Sequence, residues 1–429
     1  MDGKPVTRWL LELLTADHSR LTGWHRFVSL TKGRGIVRYT VAPHDRQGVA
    51  RTAEVGILTM KISGISLFTV ELPPAQNYSR SRPSTIVRVD TDEGISGVGE
   101  VVSYTTGLAE ASRAGLMKDG DVLLGEDPFH VDKLGRMMDK VFARNPGFPG
   151  AFHNEVKTAL DMAFWDIMGH ATGRPVSDLL GGRYQAPVPL YEAVYRGNGD
   201  QVAAEAGDFR RRGFGHLMIK TGPDPSIAIE RIEAACSAMQ PGDIVYAYAG
   251  PWTLFNAIRV GRAFDKKDLP VTLVIEQPCT SLEDCIAFRA HCDLPVKLDA
   301  SVDSAEQVVR IHRAQAADII NLEIARLGGL TKTRRVRDLC IELGITVVAQ
   351  DRHGSQIVGA ACTQLAQSTD PDFLLDTFYF PALVGVVTAD GCPSPDNGVI
   401  TASTDPGLGL TVRPDVLGEP LAVLGTPAR

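Results

Sequence analysis

Four ionisable side chains end apolar segments of the sequence, where they could carry out acid–base or metal chemistry. Lys220 ends HLMIK, Glu276 ends VTLVIE, Asp299 follows PVKL, and Glu323 ends ADIINLE. A charge buried among apolar residues is costly unless it is paired or bound to a metal ion. Several such residues on different segments are therefore typical of one shared site, with a lysine as a base and carboxylates as acids, bases or metal ligands.

Further polar residues end or follow neighbouring apolar segments. They are Tyr246, Tyr248, Gln350, Asp351, His353 and Asp376. The two tyrosines lie in IVYAYAG, at a strand end where a metal-binding carboxylate would be expected. A phenol with a pKa near 10 keeps its proton at neutral pH, so tyrosine is a poor substitute for an aspartate ligand.

The segments that carry these residues are short strand candidates. They are VPLYEAV (188–194), HLMIKTG (216–222), DIVYAYAG (243–250), VTLVIEQP (271–278), PVKLDAS (295–301), ADIINLEI (317–324), ITVVAQD (345–351) and DFLLDTF (372–378). Amphipathic helical patterns separate most of them, which predicts a (β/α)8 barrel with catalytic groups at the carboxyl ends of its strands. A doubly wound sheet is the alternative, but no GxGxxG motif follows a strand.

The rest of the chain predicts three further regions. Residues 60–184 combine strand patterns, a hairpin at Asp92-Glu93-Gly94 and a long helical stretch, which indicates an α+β domain. We expect the barrel to span 185–385 and residues 386–429 to return to the sheet of the first domain. Residues 1–59 are more basic and lack a sustained pattern, so we expect a poorly ordered extension. A basic arm that contacts another subunit is the alternative.

Composition narrows the class of protein. The chain has 429 residues and a net charge of −7, which argues against nucleic acid or an anionic membrane as a partner. No apolar run approaches the roughly 20 residues that span a bilayer. The seven cysteines show no CxxC spacing, and no secretory signal pattern opens the sequence. Together these features predict a cytoplasmic protein with reduced thiols.

Several motifs, in order along the chain, resemble the enolase superfamily in its mandelate racemase and muconate lactonizing enzyme branch. They are TIVRVDTDEGISGVGE, HNEVKTALDMAFWDIMGHATGRPVSDLLGG, IEQP, ARLGGLTKTRRVRDLC and DPGLGL, and the resemblance runs from about Met60 onward. It implies an α/β fold in which an α+β capping domain covers a modified TIM barrel, commonly in a homo-oligomer. It also implies removal of the proton next to a carboxylate of a small acid, with Mg²⁺ stabilising the enediolate. Racemases, epimerases, dehydratases and cycloisomerases share this chemistry.

The resemblance assigns roles to the strand-end residues. Lys220 is similar to the second lysine of a KxK motif, a catalytic base, whereas Met218 stands at the first. Glu276 and Asp299 match the second and third metal ligands. Tyr246 stands at the first ligand position, and Tyr248 stands at the asparagine that follows it.

On the opposite side of the barrel the resemblance is weaker. Glu323 stands where the family carries a second lysine or the aspartate of a His–Asp dyad, and Gln350 stands at the position of the histidine. Asp376 falls near an acidic position that helps to bind the substrate carboxylate. His353 lies three residues beyond the base position and is expected to be a loop residue. Arg80, Arg82 and Tyr104 are candidate lid contacts of the substrate.

These departures leave three functions open. An enzyme of this family could bind Mg²⁺ at a displaced site, with Glu323 supplying an oxygen. It could also be a metal-independent lyase, in which Lys220 and the two tyrosines surround an oxyanion and Glu276 or Glu323 is a base. Finally, it could be a non-catalytic relative that binds a small molecule.

Overall fold

The computed structural model describes residues 29–33, 36–40, 60–74, 81–103, 105–143, 150–250 and 252–426. The chain divides into two compact units, residues 1–60 and 61–429. In the first unit, β1 (Ser29–Gly33) and β2 (Ile36–Thr40) pair antiparallel. These two strands were not expected from the sequence pattern. The predicted disorder of residues 1–59 falls mostly on residues outside the described ranges.

The second unit begins with an antiparallel sheet. Its strands are β3 (Ile62–Leu72), β4 (Arg82–Thr91) and β5 (Ser96–Val102), and β17 (Ala422–Gly425) joins β3 along its outer edge. The C-terminal segment therefore returns to this sheet. The boundaries at 184 and 385 stay predictions, because residues 61–429 form one compact unit.

Four helices accompany this sheet. They are α1 (Thr106–Asp121), α2 (Val131–Ala143), α3 (Gly150–Thr172) and α4 (Val176–Leu179). Helix α3 packs directly on β5, where a Cβ atom at Gly97 or Gly99 would lie 2.2 Å or 1.9 Å from a carbonyl oxygen of α3. Only glycine allows this approach, which explains the SGVGE motif of the hairpin. Two backbone N–H groups, of Val98 and Leu408, donate to Asp166 on α3 and tie the DPGLGL segment to this domain.

The barrel strands follow in chain order. They are β6 (Val188–Val194), β7 (His216–Lys220), β8 (Ile244–Tyr248), β9 (Thr272–Glu276), β10 (Val296–Leu298), β11 (Ile319–Glu323), β12 (Thr346–Gln350) and β13 (Leu374–Phe378). All neighbours pair parallel, and β13 closes the barrel on β6 through Thr377↔Leu190 and Phe378↔Tyr191. The predicted (β/α)8 barrel is confirmed.

Helices alternate with these strands. They are α5 (Gly199–Arg211), α6 (Pro225–Ala238), α7 (Leu254–Phe264), α8 (Leu282–Arg289), α9 (Ala305–Arg313), α10 (Ile324–Leu327), α11 (Leu330–Glu342) and α12 (Gln356–Gln367). Polar side chains cap several of them, such as Asp224 on α6 and Ser304 on α9. No helix in the described part of the chain is long and apolar enough to cross a membrane.

The remaining described elements are short. They are a 3₁₀ helix (Phe380–Leu383), β14 (Ala389–Asp390), β15 (Val399–Ile400), β16 (Thr411–Val412) and α13 (Pro414–Leu417). Buried Glu100 of β5 accepts hydrogen bonds from Ser84 and from Ser355, the N-cap of α12. This contact fixes the capping sheet beside the carboxyl end of β12.

Candidate active site

One cavity of about 190 Å³ lies at the carboxyl ends of the barrel strands. Its lining comes from most of the strands and from the loops that follow them. The lining residues are Tyr191, Ala193, Tyr195, Met218, Lys220, Tyr248, Glu276, Asp299, Glu323, Arg326, Gln350, Asp351, Arg352, His353, Phe378 and Phe380. The structure thus brings Lys220, Glu276, Asp299 and Glu323 together, because parallel strands of a closed barrel end at one rim.

Lys220 lies on one wall of this cavity, at the end of β7. Its ammonium nitrogen is 3.6 Å from the centre of the Tyr248 ring, a cation–π contact with the neighbouring strand. Burial lowers the pKa of Lys220, and the nearby charges of Glu276 and Asp299 only partly oppose this effect. A lysine with a lowered pKa loses its proton more easily and is suited to act as a general base.

Glu276 is paired with Lys297, a lysine that was not predicted to be a site residue. The Nζ of Lys297 lies 2.7 Å from Oε2 of Glu276, and both side chains are almost fully buried. The two residues face each other in the parallel register of β9 and β10. Burial raises the pKa of Glu276, and the charge of Lys297 opposes this rise. The ion pair therefore occupies a carboxylate that was expected to bind a metal.

Asp299 is held by a second cation, Arg326. The Nη1 of Arg326 donates to Oδ1 of Asp299 at 2.7 Å, and Asn321 Nδ2 donates to the same oxygen at 2.6 Å. Burial acts to raise the pKa of Asp299, but Arg326 and Asn321 outweigh it, so the net pKa is lowered. Asp299 is accordingly a fixed anion with its Oδ1 already occupied.

Glu323 lies on the opposite wall from Lys220 in a group of arginines and carboxyls. It accepts hydrogen bonds from Arg326 and from Nε of Arg352 at 3.1 Å. Burial nevertheless raises the pKa of Glu323, and the charge of Asp299 adds to this rise. Burial also raises the pKa of Asp351 to about 7, with Glu323 as the second cause. This wall can therefore hold a proton near neutral pH.

Tyr246 and Asp376 lie beneath the cavity and are absent from its described lining. The hydroxyl of Tyr246 donates to Oδ2 of Asp376, and Nδ1 of His216 lies 2.7 Å from the same oxygen. Burial and the charge of Asp376 raise the pKa of Tyr246 well above its ordinary value. Tyr246 is thus a neutral phenol whose hydroxyl is turned away from the cavity.

The other residues that were predicted to contact the substrate lie in the cavity lining, on the capping sheet or outside the described residues. Gln350 lines the cavity and accepts a hydrogen bond from the hydroxyl of Tyr191. Arg82 lies on the capping sheet, where its Nη1 is 2.7 Å from Nδ1 of His353. Burial and the charge of Arg82 lower the pKa of His353 to about 3, so this histidine is neutral. Arg80 and Tyr104 fall outside the described residues.

The structure adds three cations to the residues that the sequence suggested. Lys297, Arg326 and Arg352 contact the candidate carboxylates directly. Strand alternation offered a signal for Lys297, which lies two residues before Asp299 and on the same face of β10. Arg326 lies in the short helix α10 and Arg352 in the loop after β12, where strand periodicity gives no direction, so only the tertiary structure identifies their partners.

The residues at the expected magnesium position do not fit a divalent ion. Tyr246 is a neutral phenol bonded to Asp376, Glu276 is paired with Lys297, and Asp299 is held by Arg326. Mg²⁺ requires several oxygen ligands in near-octahedral geometry, whereas two of these oxygens already face cations. In the described part of the chain, no group of three or more His, Cys, Asp or Glu side chains is arranged to hold a metal.

Two protein-family descriptions match the chain. Residues 73–181 match the mandelate racemase / muconate lactonizing enzyme N-terminal domain, and residues 201–416 match the enolase C-terminal domain-like family. These ranges follow the capping domain and the barrel. The cis-3-hydroxy-L-proline dehydratase of Roseibium aggregatum is 36% identical over 376 residues, which cover 85% of this chain and 99% of that protein. The N-succinyl-L-Arg/Lys racemase of Bacillus cereus is 27% identical, with 84% and 98% covered.

Solved structures give the same result. A mandelate racemase/muconate lactonizing enzyme-type protein from Aspergillus oryzae has a TM-score of 0.78 at 34% identity and covers 85% of this chain and 100% of its own. One from Roseovarius nubinhibens, solved in complex with magnesium, has a TM-score of 0.79 at 30% identity with the same coverage. The relatives include dehydratases, racemases and epimerases. The chain belongs to the mandelate racemase/muconate lactonizing enzyme family of the enolase superfamily, and it is an enzyme of the isomerase or lyase type.

Proposed function

We propose that the protein is a dehydratase that removes water from a small 3-hydroxy amino or imino acid of the cis-3-hydroxyproline type. The observation that carries the proposal is the unequal chemistry of the two cavity walls. Lys220 is the one lysine in the described lining, and the opposite wall has the carboxyls Glu323 and Asp351. Glu323 stands where the family carries a second lysine or the aspartate of a His–Asp dyad. One wall is suited to take a proton and the other to give one.

Lys220 is the proposed base. Abstraction of the proton next to a carboxylate requires an amine that is neutral before the reaction, and burial lowers the pKa of Lys220 toward that state. The resemblance also places Lys220 at a catalytic base position. The cation–π contact with Tyr248 holds the ammonium that forms when the proton is transferred.

The carboxyl pair Glu323 and Asp351 is the proposed acid. A hydroxyl group leaves readily only if it is protonated as its bond to carbon breaks. Both carboxyls have raised pKa values, and that of Asp351 is about 7, so the pair retains a proton near neutral pH. A racemase would instead need a group that removes and returns the Cα proton on this second face.

The step balances without an added oxidant or co-reactant. The Cα–H bond breaks and its proton moves to Nζ of Lys220, the electron pair forms a Cα=Cβ double bond, and the C3–O bond breaks. A proton from the Glu323/Asp351 pair converts the departing hydroxide into water. With a cyclic imino acid, the enamine product then tautomerises to the cyclic imine.

The substrate class rests on size and on the relatives. A cavity of about 190 Å³ is below the range of about 300–1,000 Å³ that is common for larger ligands, which favours a small acid. The dehydratase relative at 36% identity acts on cis-3-hydroxy-L-proline by its name. Arg352 and Arg326 in the lining offer charge to a substrate carboxylate. Magnesium bound at Glu276 and Asp299 is not part of the proposal, because those residues do not fit it.

A pair of substrates tests the proposal. The protein is incubated in D₂O, with a chelator present, with cis-3-hydroxy-L-proline or with trans-4-hydroxy-L-proline, and proton NMR follows both samples. Only the 3-hydroxyl is β to the carboxylate, so only the first compound can lose water through a Cα carbanion. We expect the cyclic imine from the 3-hydroxy compound and no dehydration of the 4-hydroxy control.

Two results would contradict dehydration. Epimerisation of the 4-hydroxy compound without dehydration of the 3-hydroxy compound would make the protein a racemase or epimerase. Saturable binding of either acid with neither exchange nor product, over a wider panel of small acids, would favour the non-catalytic relative. The homo-oligomeric state, the cytoplasmic location and the absence of nucleic-acid or membrane partners stay predictions.

A further inference from the structure

A buried lysine, Lys297, contacts two of the three residues at the expected metal position, Glu276 and Tyr246. Lys297 is 0% exposed, and its Nζ is 2.7 Å from Oε2 of Glu276. The lysine is absent from the described lining of the cavity, whereas Glu276 lines it. Lys297 therefore lies directly behind a carboxylate that faces the substrate space.

Aromatic rings complete the surroundings of this ammonium. Its Nζ is 4.0 Å from the centre of the Tyr246 ring and 5.3 Å from the centre of the Tyr191 ring. The two rings meet edge to face at 5.8 Å. Their hydroxyls donate to Asp376 and Gln350, which fixes the rings so that their faces stay turned to the cation. A carboxylate and two ring faces form a built site for one positive charge.

The positive charge of Lys297 acts on both carboxylates that were expected to bind a metal, Glu276 and Asp299. Besides the contact with Glu276, the charge of Lys297 acts to lower the pKa of Asp299. Tyr246, the residue at the expected first ligand position, supplies a ring face in place of a carboxylate. Two of the three positions that would surround a metal ion, Glu276 and Tyr246, therefore contact the ammonium of Lys297, while the third, Asp299, is held by Arg326.

We propose that Lys297 is a built-in replacement for the divalent metal: its ammonium, held by Glu276 and by the ring of Tyr246, occupies the cation position, and the protein binds no Mg²⁺ there. The tyrosine and the lysine act as a pair. A neutral phenol leaves two carboxylates in the ligand set, and the positive charge of Lys297 pairs with Glu276 while Arg326 pairs with Asp299.

The catalytic consequence of this exchange rests on the proposed function. Proton removal next to a carboxylate develops negative charge on the carboxylate oxygens, and a fixed cation stabilises that charge. Lys297 acts through Glu276 and is a positioning residue, since it does not line the cavity. Its positive charge also acts, after burial, to lower the pKa of Lys220. Metal exclusion itself does not depend on which reaction the enzyme catalyses.

Titration with Mn²⁺, followed by electron paramagnetic resonance, tests the proposal without any substrate. The chelator-treated wild-type protein is compared with Tyr246→Asp, with the double variant Tyr246→Asp/Lys297→Ala, and with Glu276→Gln. We expect no saturable binding to the wild type. The double variant restores a third carboxylate and removes the ammonium, so it should bind one Mn²⁺ per chain at least about tenfold more tightly than Tyr246→Asp alone.

Two outcomes overturn the proposal. The first is saturable binding of one Mn²⁺ to the wild type that is lost in Glu276→Gln, which would place a metal at this carboxylate despite Lys297. The second is a double variant that is folded by circular dichroism yet gains no binding, because the ammonium and the phenol would then not be what excludes the ion. If the double variant does not fold, the comparison of wild type with Glu276→Gln decides alone.

The same samples separate this inference from the proposed function. Absence of dehydration would contradict the proposed reaction and leave the Mn²⁺ result unchanged. Conversely, dehydration that requires an added divalent ion and is lost with chelator would contradict the role of Lys297 while leaving the reaction class intact.

Discussion

The two walls of the cavity use the same physical effect in opposite directions. Lys220 lies on one wall and the Glu323/Asp351 pair on the other; the two carboxyls are buried and Lys220 is half-buried. Burial disfavours the charged form of every group, so it lowers the pKa of an amine and raises the pKa of a carboxyl. The amine thereby tends to lose its proton and the carboxyls tend to keep theirs. This is the distribution of protons that elimination from a hydroxy acid requires.

The walls also differ in how their charges are compensated. On the lysine wall, the ammonium of Lys220 contacts the ring face of Tyr248, whereas Lys297 behind the wall contacts both the Tyr246 ring and the Glu276 carboxylate. On the carboxyl wall, arginines donate hydrogen bonds to carboxylates, as Arg352 does to Glu323. A ring face stabilises a cation without supplying a negative charge, so it leaves Lys220 closer to its neutral form than a carboxylate at the same distance would.

The largest expected effect comes from removing the base. Lys220→Met should lower both Cα–H exchange in D₂O and product formation by about 10²–10⁴-fold, because both depend on the same proton transfer. Proton NMR of the 3-hydroxy substrate measures the two rates. Lys267→Met is the matched control, since Lys267 is an exposed lysine paired with Glu233 on the outer surface. A Lys220→Met protein that still exchanges the Cα proton at the wild-type rate would remove Lys220 from the mechanism.

The free energy of unfolding tests the role of Lys297, which lies behind Glu276. Lys297→Met leaves Glu276 buried without its partner, and loss of one member of a buried pair costs about 3–5 kcal/mol in the free energy of unfolding. Urea unfolding at mildly alkaline pH measures the change. Lys267→Met breaks an exposed pair and should cost about 1 kcal/mol or less. Equal effects of the two substitutions would mean that the Glu276–Lys297 contact contributes no more than a surface ion pair.

A substitution on the carboxyl wall should slow the loss of the hydroxyl group and leave removal of the Cα proton unchanged. Glu323→Gln removes an acid that protonates the leaving hydroxyl, so product formation should fall by about 10²-fold, near the low end for acid–base catalysis, because Asp351 remains. Cα–H exchange should persist. A substrate with a halide in place of the hydroxyl needs no protonation and should lose much less rate. If exchange and elimination fall together, Glu323 is not specific to the leaving group.

The smallest effect is expected from the ring beneath Lys220. The limb of the pH–activity profile that reports loss of the Lys220 proton should rise at a pKa below the ordinary lysine value of 10.5, because burial lowers the pKa of Lys220. Tyr248 stabilises the ammonium form, so Tyr248→Leu should lower this pKa and move the rising limb by roughly half a unit toward lower pH. Tyr248→Phe retains the ring and should leave the limb in place. An opposite shift in Tyr248→Leu would contradict the cation–π contact.

Much of the fold could be predicted from local pattern alone. The apolar segments from Val188 to Phe378 identified all eight barrel strands to within a few residues. Strand ends in a parallel barrel share one rim, so the order of the chain also predicted that Lys220, Glu276, Asp299 and Glu323 would meet. These inferences need only strand period and topology. The hairpin of β1 and β2 was missed, because a short isolated pair of strands carries little periodic signal.

The sequence by itself determined the barrel, the rim and the presence of tyrosine where the family has a metal ligand. Only the tertiary structure decided what those residues do there. In the folded chain the Tyr246 hydroxyl donates to Asp376. Lys297 forms an ion pair with Glu276, and Arg326 forms one with Asp299. The physical reason is that pairing of buried charges depends on distances across strands and loops, which neither residue type nor spacing along one segment specifies.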